Sequence, residues 1–446
     1  MKKIVGKVFY IFFGLAIHCE WYVLLALICS WMIKERMSDG KISRPSSTAK
    51  NDRITILALT PDRFRGDLDV LAKTENFRVL QIVPAWQVRL VYYFLRCRLE
   101  RSIYARRPSE DPLFKRKDKF CNFLRKFLPI LYGKVGIDCV ISPHIEYAED
   151  MDWGEISQEI GVPYIVFHRE SLLPTPGSKN AVISRMKKIS SFKGSRIVVH
   201  SELTRQFYLD IGYVEPDKIT TLGCLRMDNL IKNIHKKESV QNQRKKVVVI
   251  PFYLTQFRDD SLYHYFKEVY LTFIQFANKY SEIDVVIKPK NKKEYKNLYE
   301  MLDRIIEGTE IVFEKISNLY IRSDLDVQEL LLEADVVCGL RSTALLEAAI
   351  TENPVIVPYF KVLQDPKYND YIPFKDSYHL FDLAESVGEL KSLILYRLEN
   401  PKIEEKIMEG RKALFEKYVS SMKGDATEKY VALIKSVVAE ELKRAR

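Results

Sequence analysis

Short apolar runs alternate with longer amphipathic segments over most of the chain. The runs have strand length and are nearly continuous, for example ITILALTP (54–61), DCVISP (138–143) and VPYIVF (162–167). Strands that are apolar throughout, rather than at every second position, are typical of parallel sheets covered by helices on both faces. The pattern therefore predicts a doubly wound α/β architecture.

A charged stretch interrupts this alternation, which restarts with VVVIPF at 247–252. In a chain of 446 residues, each side of the interruption is long enough to bury a core of its own. We therefore predict two tandem Rossmann-like domains with a cleft between them. Their predicted bounds, with a connecting linker and a final helix, are 53–230, 231–246, 247–420 and 421–446.

An apolar run flanked by lysines, residues 8–33, precedes the first domain. As one helix it would be about 39 Å long, which exceeds the roughly 30 Å hydrocarbon core of a bilayer. His18 and Glu20 lie near its middle, but the apolar neighbours outweigh the cost of inserting them. We predict a retained membrane anchor over 1–36 and a polar linker over 37–52. Two forms stay open: a helix that spans the bilayer, and two half-helices, broken near His18, within one leaflet.

The net charge of +11 indicates an anionic partner. Basic and aromatic residues are concentrated at 86–107 and 113–134, and the second stretch has an apolar helical face with Lys and Arg around it. Such a helix can dock on anionic lipid, or pack as a core helix with a solvated basic face. Because the sequence has no recognised nucleic-acid-binding motif, we expect a membrane surface and no nucleic acid as partner.

Polar residues follow two strands of the second predicted domain. Lys288 and Lys290 come after one strand, and Arg341, Ser342 and Thr343 come after DVVCGL. Parallel α/β sheets bind ligands outside the carboxyl ends of their strands, and backbone N–H groups at a helix start can receive a phosphate. These residues are therefore candidates for binding phosphate groups. Taken alone, Ser342 fits a plain helix N-cap better, and the lysines fit a solvated helix start equally well.

The segment STALLEAAITENPVIV (342–357) resembles the donor-nucleotide segment of GT-B glycosyltransferases, in which a glutamate before a Pro-Val-Ile strand contacts the nucleotide ribose. VIKPKNKKE and TLGCLRMDNL are similar to segments of bacterial surface-polysaccharide enzymes, including capsule Kdo transferases and CDP-glycerol glycerophosphotransferases. Lys290 and Asn291 stand where those enzymes often have His-Pro, and Leu225 replaces a proline. The resemblance implies a GT-B fold, a nucleotide-sugar donor and a ribose contact at Glu347.

The resemblance further implies that the catalytic base comes from the first domain. Gly339 stands where retaining GT-B enzymes have the first of two glutamates, which favours inversion. Inversion needs a base that removes the proton of the acceptor hydroxyl. Among residues that follow first-domain strands, Asp67 ranks first, then Glu146 and Glu170, although Asp67 also fits a helix cap. The wider cluster at these strand ends comprises His144, His168, Arg169 and His200.

We expect neither a metal nor another cofactor. Seven scattered cysteines without a C-x-x-C pair argue against a disulfide framework or a zinc ribbon and favour a reducing compartment. No set of His, Cys and Asp has metal-ligand spacing, and a basic second domain can stabilise a departing phosphate by itself.

The sequence therefore predicts a membrane-associated glycosyltransferase at the cytoplasmic face. It would transfer a sugar from a nucleotide sugar to a surface polysaccharide, such as capsule or lipopolysaccharide, or to a lipid-linked glycan acceptor. One alternative is a CDP-glycerol- or CDP-ribitol-type polyol-phosphate transferase on the same scaffold. The other is a membrane-associated binding or scaffold protein that kept the fold and lost turnover.

Overall fold

The computed structural model divides the chain into two compact units, which are described separately. The first unit comprises residues 1–171, 181–228 and 424–446, and the second comprises 172–180 and 229–423. The described residues are 11–45, 52–97, 108–234, 244–251, 260–290, 292–312 and 315–444.

The sheet of the first unit has its strands in the order β2-β1-β4-β3-β5-β6-β7-β8. Strands β3 to β8 run parallel, and β1 and β2 add an antiparallel edge. The continuous apolar runs are buried along their length in β5 and β6, as expected for strands covered on both faces. The bounds are β1 Lys34–Arg36, β2 Ile42–Ser43, β3 Ile54–Ala58, β4 Phe77–Gln81, β5 Cys139–Ser142, β6 Tyr164–Phe167, β7 Arg196–Val199 and β8 Ile219–Thr221.

Helices connect the strands of the first half of the chain. Residues 11–18 are also helical. The bounds are α1 Tyr22–Met32, α2 Asp67–Lys73, α3 Pro84–Leu95, α4 Pro112–Val135, α5 Met151–Glu159, α6 Pro176–Met186, α7 Glu202–Asp210 and α8 Met227–Asn233, with 3-10 turns at Pro61–Arg63 and Pro216–Lys218.

The sheet of the second unit is entirely parallel in its described strands, in the order β11-β10-β9-β12-β13-β14. Two mainly parallel sheets with crossover helices confirm the predicted two-domain α/β architecture. The strands are β9 Lys245–Val249, β10 Ile283–Ile287, β11 Leu319–Ile321, β12 Val336–Cys338, β13 Val355–Pro358 and β14 Asp382–Ala384. The helices of the second half of the chain are α9 Asp260–Lys279, α10 Lys292–Ile306, α11 Val327–Glu333, α12 Thr343–Ala349, α13 Lys361–Gln364, α14 Pro366–Asn369, α15 Val387–Glu399, α16 Glu405–Tyr418 and, in the first unit, α17 Ala426–Arg444, with a 3-10 turn at Lys375–Leu380.

The N-terminal apolar run is broken at its polar residues. The helix over 11–18 ends in a turn at Cys19 and Glu20, where φ of Glu20 is +56°, and α1 follows. The Glu20 carboxylate lies 2.7 Å from Nζ of Lys126 on α4, so an ion pair holds the turn at the surface. Within the described ranges, no helix is both long and apolar enough to cross a membrane. The break near His18 is the one that the second form required, and the anchor predicted over 1–36 is not supported as a spanning helix.

The broken run packs on the helices of the first unit. The Phe13 ring lies 6.3 Å from that of Trp86 and 6.1 Å from that of Tyr93, so the first piece contacts α3. The Tyr22 ring lies 5.9 Å from Phe123 on α4. The apolar face predicted for 113–134 is therefore covered largely by protein, which is the core-helix alternative considered for that stretch.

The predicted linker over 37–52 needs correction, and the predicted final helix is found. The linker expected over 37–52 contains β2, which pairs with β1, so the first sheet already begins at Lys34. The helix expected over 421–446 is α17, and it belongs to the core of the first unit, where Tyr430 contacts Phe167 with ring centroids 4.8 Å apart. Composition could not reveal either, because a short polar edge strand looks like a linker and a terminal helix can return to any sheet. The linker predicted over 231–246 lies partly outside the described residues.

Candidate functional site

Asp67 lies at the carboxyl edge of the first sheet, at the start of α2, the first α-helix after β3. Gly66 precedes it with φ of +103°, a left-handed conformation that glycine adopts without steric cost. Gly66 takes the N-cap position of α2, and Asp67 is the first helical residue, with 4% of its surface exposed. The helix-cap alternative for Asp67 is therefore not what the structure adopts.

Arginines surround the buried Asp67 carboxyl group. The Arg226 guanidinium Nη1 lies 3.9 Å from Asp67 Oδ1, and the Arg226 backbone N–H donates a hydrogen bond to the carboxylate. Burial raises the pKa of Asp67, while the positive charges of Arg226, Arg65 and Arg169 act in the opposite direction. An acid with a raised pKa is a stronger base once it is ionised, which suits proton transfer near neutral pH.

Arg169, which follows β6, connects several groups of this edge. Its Nε lies 3.3 Å from Glu170 Oε1, and its Nη1 donates a 2.7 Å hydrogen bond to the Arg63 carbonyl oxygen. The guanidinium carbons of Arg169 and Arg63 lie 5.7 Å and 6.0 Å from the centroid of the Tyr147 ring. Glu170 is partly exposed, and its carboxylate is ion-paired with Arg169. We therefore rank it below Asp67 as a candidate base.

Glu146, which follows β5, is buried and ion-paired. Its two carboxylate oxygens accept hydrogen bonds from Nε and Nη2 of Arg185 at 2.9 Å and 3.2 Å. Its backbone N–H donates to Nδ1 of His144 at 3.0 Å, which assigns Nδ1 as an acceptor. A bidentate arginine pair stabilises the ionised carboxylate and fixes its orientation. This pairing favours a role for Glu146 in positioning its loop over a role as the catalytic base.

Three histidines lie at this same edge. The rings of His144 and His168 have centroids 4.7 Å apart, and the Tyr208 hydroxyl lies 3.3 Å from His168 Nε2. Nδ1 of His200 lies 2.6 Å from the hydroxyl oxygen of the buried Ser171. Burial, with nearby positive charge, lowers the pKa of His200 well below its usual range. His200 is therefore a neutral, hydrogen-bonded histidine, which agrees with the core alternative for it.

The carboxyl edge of the second sheet carries the two lysines predicted after β10. Lys288, at the end of β10, is largely buried, and its Nζ donates to the carbonyl oxygens of Pro289 at 2.9 Å and Ser323 at 3.3 Å. Burial lowers the pKa of Lys288. Lys290 is exposed, and its backbone N–H donates to the Glu294 carboxylate at 3.2 Å. The two lysines thus differ, since one amine is bound to the loop backbone and the other side chain faces solvent.

The turn from β12 into α12 carries the other predicted donor residues. Ser342 is the N-cap, and its hydroxyl oxygen accepts a 3.2 Å hydrogen bond from the Ala344 N–H. Arg341 is half-buried, which lowers the pKa of its guanidinium. Thr343 begins α12, and Glu347 lies one turn further along it with 3% of its surface exposed. The four predicted donor residues at this turn and in its helix therefore lie on one strand-turn-helix unit.

Gly339 has a packing reason to be glycine. A Cβ built on it would lie 3.0 Å from Leu345 Cδ2 and 3.3 Å from the Ile250 carbonyl oxygen. A glutamate at this position would require Leu345 and Ile250 to shift, so the glycine fits the packing of the second unit.

Sequence reasoning did not select Arg65 and Arg226 as site residues, although both act on Asp67. Arg226 lies in the quoted segment TLGCLRMDNL, so that motif match was the signal that could have identified it. The motif's acidic residue has a different role. Asp228 accepts hydrogen bonds from the N–H groups of Ala426 at 3.1 Å and Thr427 at 2.7 Å, which caps α17. Across the residues that the structure describes, no group of three or more His, Cys, Asp or Glu side chains could hold a metal ion.

No protein-family model matches the sequence, and no curated protein sequence matches it. Solved structures similar to this chain include a UDP-GlcNAc 2-epimerase from Neisseria meningitidis, with 12% identity, 86% of this chain and 100% of that chain covered, and a TM-score of 0.47. An α,α-trehalose-phosphate synthase from Burkholderia vietnamiensis has 9% identity, the same coverages and a TM-score of 0.47. The wall teichoic acid polymerase TagF has 12% identity, covers 71% and 76%, and has a TM-score of 0.46. With TM-scores below 0.5, these neighbours decide neither the activity nor the ligand of this chain.

Proposed function

We propose that the protein is a membrane-associated glycosyltransferase of GT-B architecture that uses a nucleotide-sugar donor. The sugar would be transferred, with inversion and without a metal, to a surface-polysaccharide or lipid-linked glycan acceptor. The observation that carries the proposal is the carboxyl edge of the first sheet, where a buried acid with a raised pKa lies among arginines and histidines. Buried acids with shifted pKa values are concentrated at functional sites. An acid of this kind beside arginines is suited to transferring a proton next to an anionic group.

In this mechanism Asp67 removes the proton from the acceptor hydroxyl as that oxygen attacks the sugar carbon. The bond from the sugar carbon to the nucleotide phosphate breaks, and the phosphate leaves with the electron pair. Arg226 contacts Asp67, and the charges of Arg226 and Arg65 oppose the effect of burial and favour the ionised form. Glu146 and Glu170 are the next candidates for the base, with their arginine pairs as the reason for the lower rank.

The donor would bind at the carboxyl edge of the second sheet. Glu347 would contact the ribose, and Arg341, Ser342, Thr343 and Lys288 or Lys290 would lie at the phosphates. A half-buried guanidinium after β12 supports this assignment, because partial burial strengthens its attraction for a phosphate. The Ser342 hydroxyl is engaged in the N-cap, so its contribution would come from the turn that it fixes.

A thermal-shift panel with UDP, GDP, CMP and CDP tests the donor assignment. The nucleotide that binds should raise the unfolding midpoint, since ligand at about 100 times its Kd adds about 2.7 kcal/mol of stability. Glu347→Gln should remove most of that rise while preserving the shape of the side chain. Glu329→Gln, an exposed glutamate on the neighbouring α11, is the matched control and should respond like wild type.

The responding nucleotide then selects the donors for an activity assay. Release of that nucleotide from its sugar conjugate in the presence of a lipid-linked glycan supports the glycosyltransferase. Release from CDP-glycerol or CDP-ribitol, with no turnover of nucleotide sugars, would replace it by the polyol-phosphate transferase. No stabilisation by any nucleotide would contradict both and leave the binding or scaffold protein.

A further inference from the structure

The N-terminal segment of the first unit, residues 11–33, is apolar on two opposite faces. Its inner face is buried against α3 and α4 through Phe13, Ala16, Leu25, Ala26, Cys29 and Ile33. Its outer face is exposed, with Val23 and Trp31 each at 70% and Trp21 at 44%. A helix that is apolar all round is normally enclosed by protein or lipid. The outer face of this segment has no such cover among the described residues.

The exposed side chains form a pattern rather than a scatter. In α1, the exposed Leu24 and Trp31 lie two turns apart on one face, with the partly buried Ile28 between them and the exposed Val23 beside them. The preceding helix exposes Ile11 at 70% and Leu15 at 50%, one turn apart. The adjoining α3, which Phe13 contacts, exposes Val88 at 40% and Tyr92 at 51%. We call these residues of 11–33 and α3 the N-terminal apolar face.

Positive charge lies beside this face. Nζ of Lys126 is 2.7 Å from the Glu20 carboxylate and 5.7 Å from the centroid of the Tyr22 ring, so a cation borders the turn between the two helices. Lys115, Lys119 and Lys126 follow one stripe of α4 at helical spacing, and all three are exposed. An apolar face with tryptophans, bordered by lysines, matches the interface of an anionic bilayer, where aromatic rings sit at the headgroups and cations meet lipid phosphates.

We propose that the N-terminal apolar face docks in the plane of an anionic phospholipid surface, with Trp21, Val23 and Trp31 entering the boundary between headgroups and acyl chains. The proposal names the surface by which the proposed transferase would reach a lipid-linked acceptor, but it rests on exposure and charge alone. The segment acts as a built-in part of the first unit, since its inner face belongs to that core. The +11 net charge of the chain adds a long-range attraction to the same surface.

Tryptophan fluorescence tests this arrangement directly. The chain has four tryptophans: Trp21 and Trp31 lie on the proposed docking face, whereas Trp86 and Trp153 are buried in the first unit. With vesicles of phosphatidylglycerol and phosphatidylcholine brominated on the acyl chains, we expect strong quenching of the full-length protein. A Trp21→Phe/Trp31→Phe variant should keep its vesicle binding and lose most of the quenching, because its remaining tryptophans are enclosed by protein.

A second pair of variants tests the energetic role of the face. Val23→Ser/Trp31→Ser removes exposed apolar surface, and we expect vesicle affinity in co-sedimentation to fall by about tenfold or more. The matched control is Leu442→Ser, which alters a leucine that is 60% exposed on α17 of the same unit, and it should bind like wild type. Unchanged circular dichroism and an unchanged unfolding midpoint in all variants exclude misfolding as the cause.

Several results would overturn the proposal. Equal vesicle binding by wild type and Val23→Ser/Trp31→Ser would assign lipid contact elsewhere. Complete release by high salt would leave electrostatic attraction without apolar insertion. A concentration-dependent dimer that Val23→Ser/Trp31→Ser converts to a monomer, with no vesicle binding by either, would assign the face to a second copy of the chain. None of these results depends on nucleotide binding, so failure here is distinguishable from failure of the proposed activity.

Discussion

The carboxyl edges of the two parallel sheets differ sharply in chemistry although their topology is alike. The first edge collects paired and buried charges, with Asp67 among arginines and Glu146 held by Arg185. At the second edge, the buried cation Lys288 donates to backbone carbonyl oxygens, and the Arg322–Asp324 ion pair is exposed. The proposed function assigns a different role to each edge. We infer that proton transfer belongs to the first edge and recognition of a nucleotide to the second.

Replacing Asp67 should give the largest loss of activity of the substitutions considered. If it does not, proton transfer is not the role of the first edge. Asp67→Asn keeps the shape and can still accept the Arg226 backbone N–H, but it cannot take up a proton. We expect turnover of the donor identified by the nucleotide panel to fall by about 10²- to 10⁴-fold, with donor affinity unchanged. Matching losses in Glu146→Gln or Glu170→Gln, with an active Asp67→Asn, would transfer the base role to that residue.

Stability gives a second measurement on the same variant. Burial raises the pKa of Asp67, so the folded state favours the protonated acid. Its contribution to stability is complete below the unfolded pKa and is lost as pH rises through the folded pKa. Asp67→Asn should therefore be at least as stable as wild type at neutral pH, measured by urea unfolding. A variant that is inactive and also unstable would point to a structural role for Asp67.

At the second edge, Arg341→Ala should weaken nucleotide binding while the chemistry continues. Loss of a half-buried guanidinium at a phosphate should raise the Kd by about 10- to 100-fold, measured by isothermal titration. At saturating donor, turnover should stay within a few-fold of wild type. Lys367→Ala, an exposed cation of the second unit, serves as the control. An unchanged Kd in Arg341→Ala would remove the phosphate assignment from this turn.

The two edges also show what the sequence could predict. Parallel strands were recognisable because both of their faces are buried, so β5 and β6 read as unbroken apolar runs. The loop positions of Asp67, Glu146 and Glu170 followed from the strand ends alone. The arginine environment of Asp67 did not, because Arg226 is distant in the sequence and reaches it only through the order of the strands.

The N-terminal run shows what the sequence could not predict. Its composition fits lipid on every side, and hydropathy cannot tell a spanning helix from one whose inner face packs on protein. The distinction depends on Phe123 and Trp86. These aromatic residues belong to later helices, and the run packs against them. Likewise, Asp228 lies in the segment TLGCLRMDNL, but its carboxylate caps α17, a contact between residues far apart in the sequence.

That cap predicts a loss of stability without a loss of chemistry. Asp228→Ala leaves the N–H groups of Ala426 and Thr427 and the Thr427 hydroxyl without their acceptor. We expect the free energy of unfolding of the first unit to fall by about 1–3 kcal/mol. Asp217→Ala, in the exposed 3-10 turn before β8, should change it little. Nucleotide binding by the second unit should persist in both variants, which separates this role from a catalytic one.

The smallest expected effect is a change in how the stability of the first unit depends on acid pH. The control variant lies in the second unit. Burial lowers the pKa of His200, so its stabilising contribution is present above the unfolded pKa of histidine and is lost as pH falls below it. His200→Asn should flatten the decline in stability of the first unit between neutral and mildly acidic pH, measured by urea unfolding at a series of pH values. The control is His264→Asn, at an exposed histidine of the second unit. If His200→Asn declines with pH as steeply as wild type, another group, such as His144 or His168 at the same edge, controls the acid sensitivity of this site.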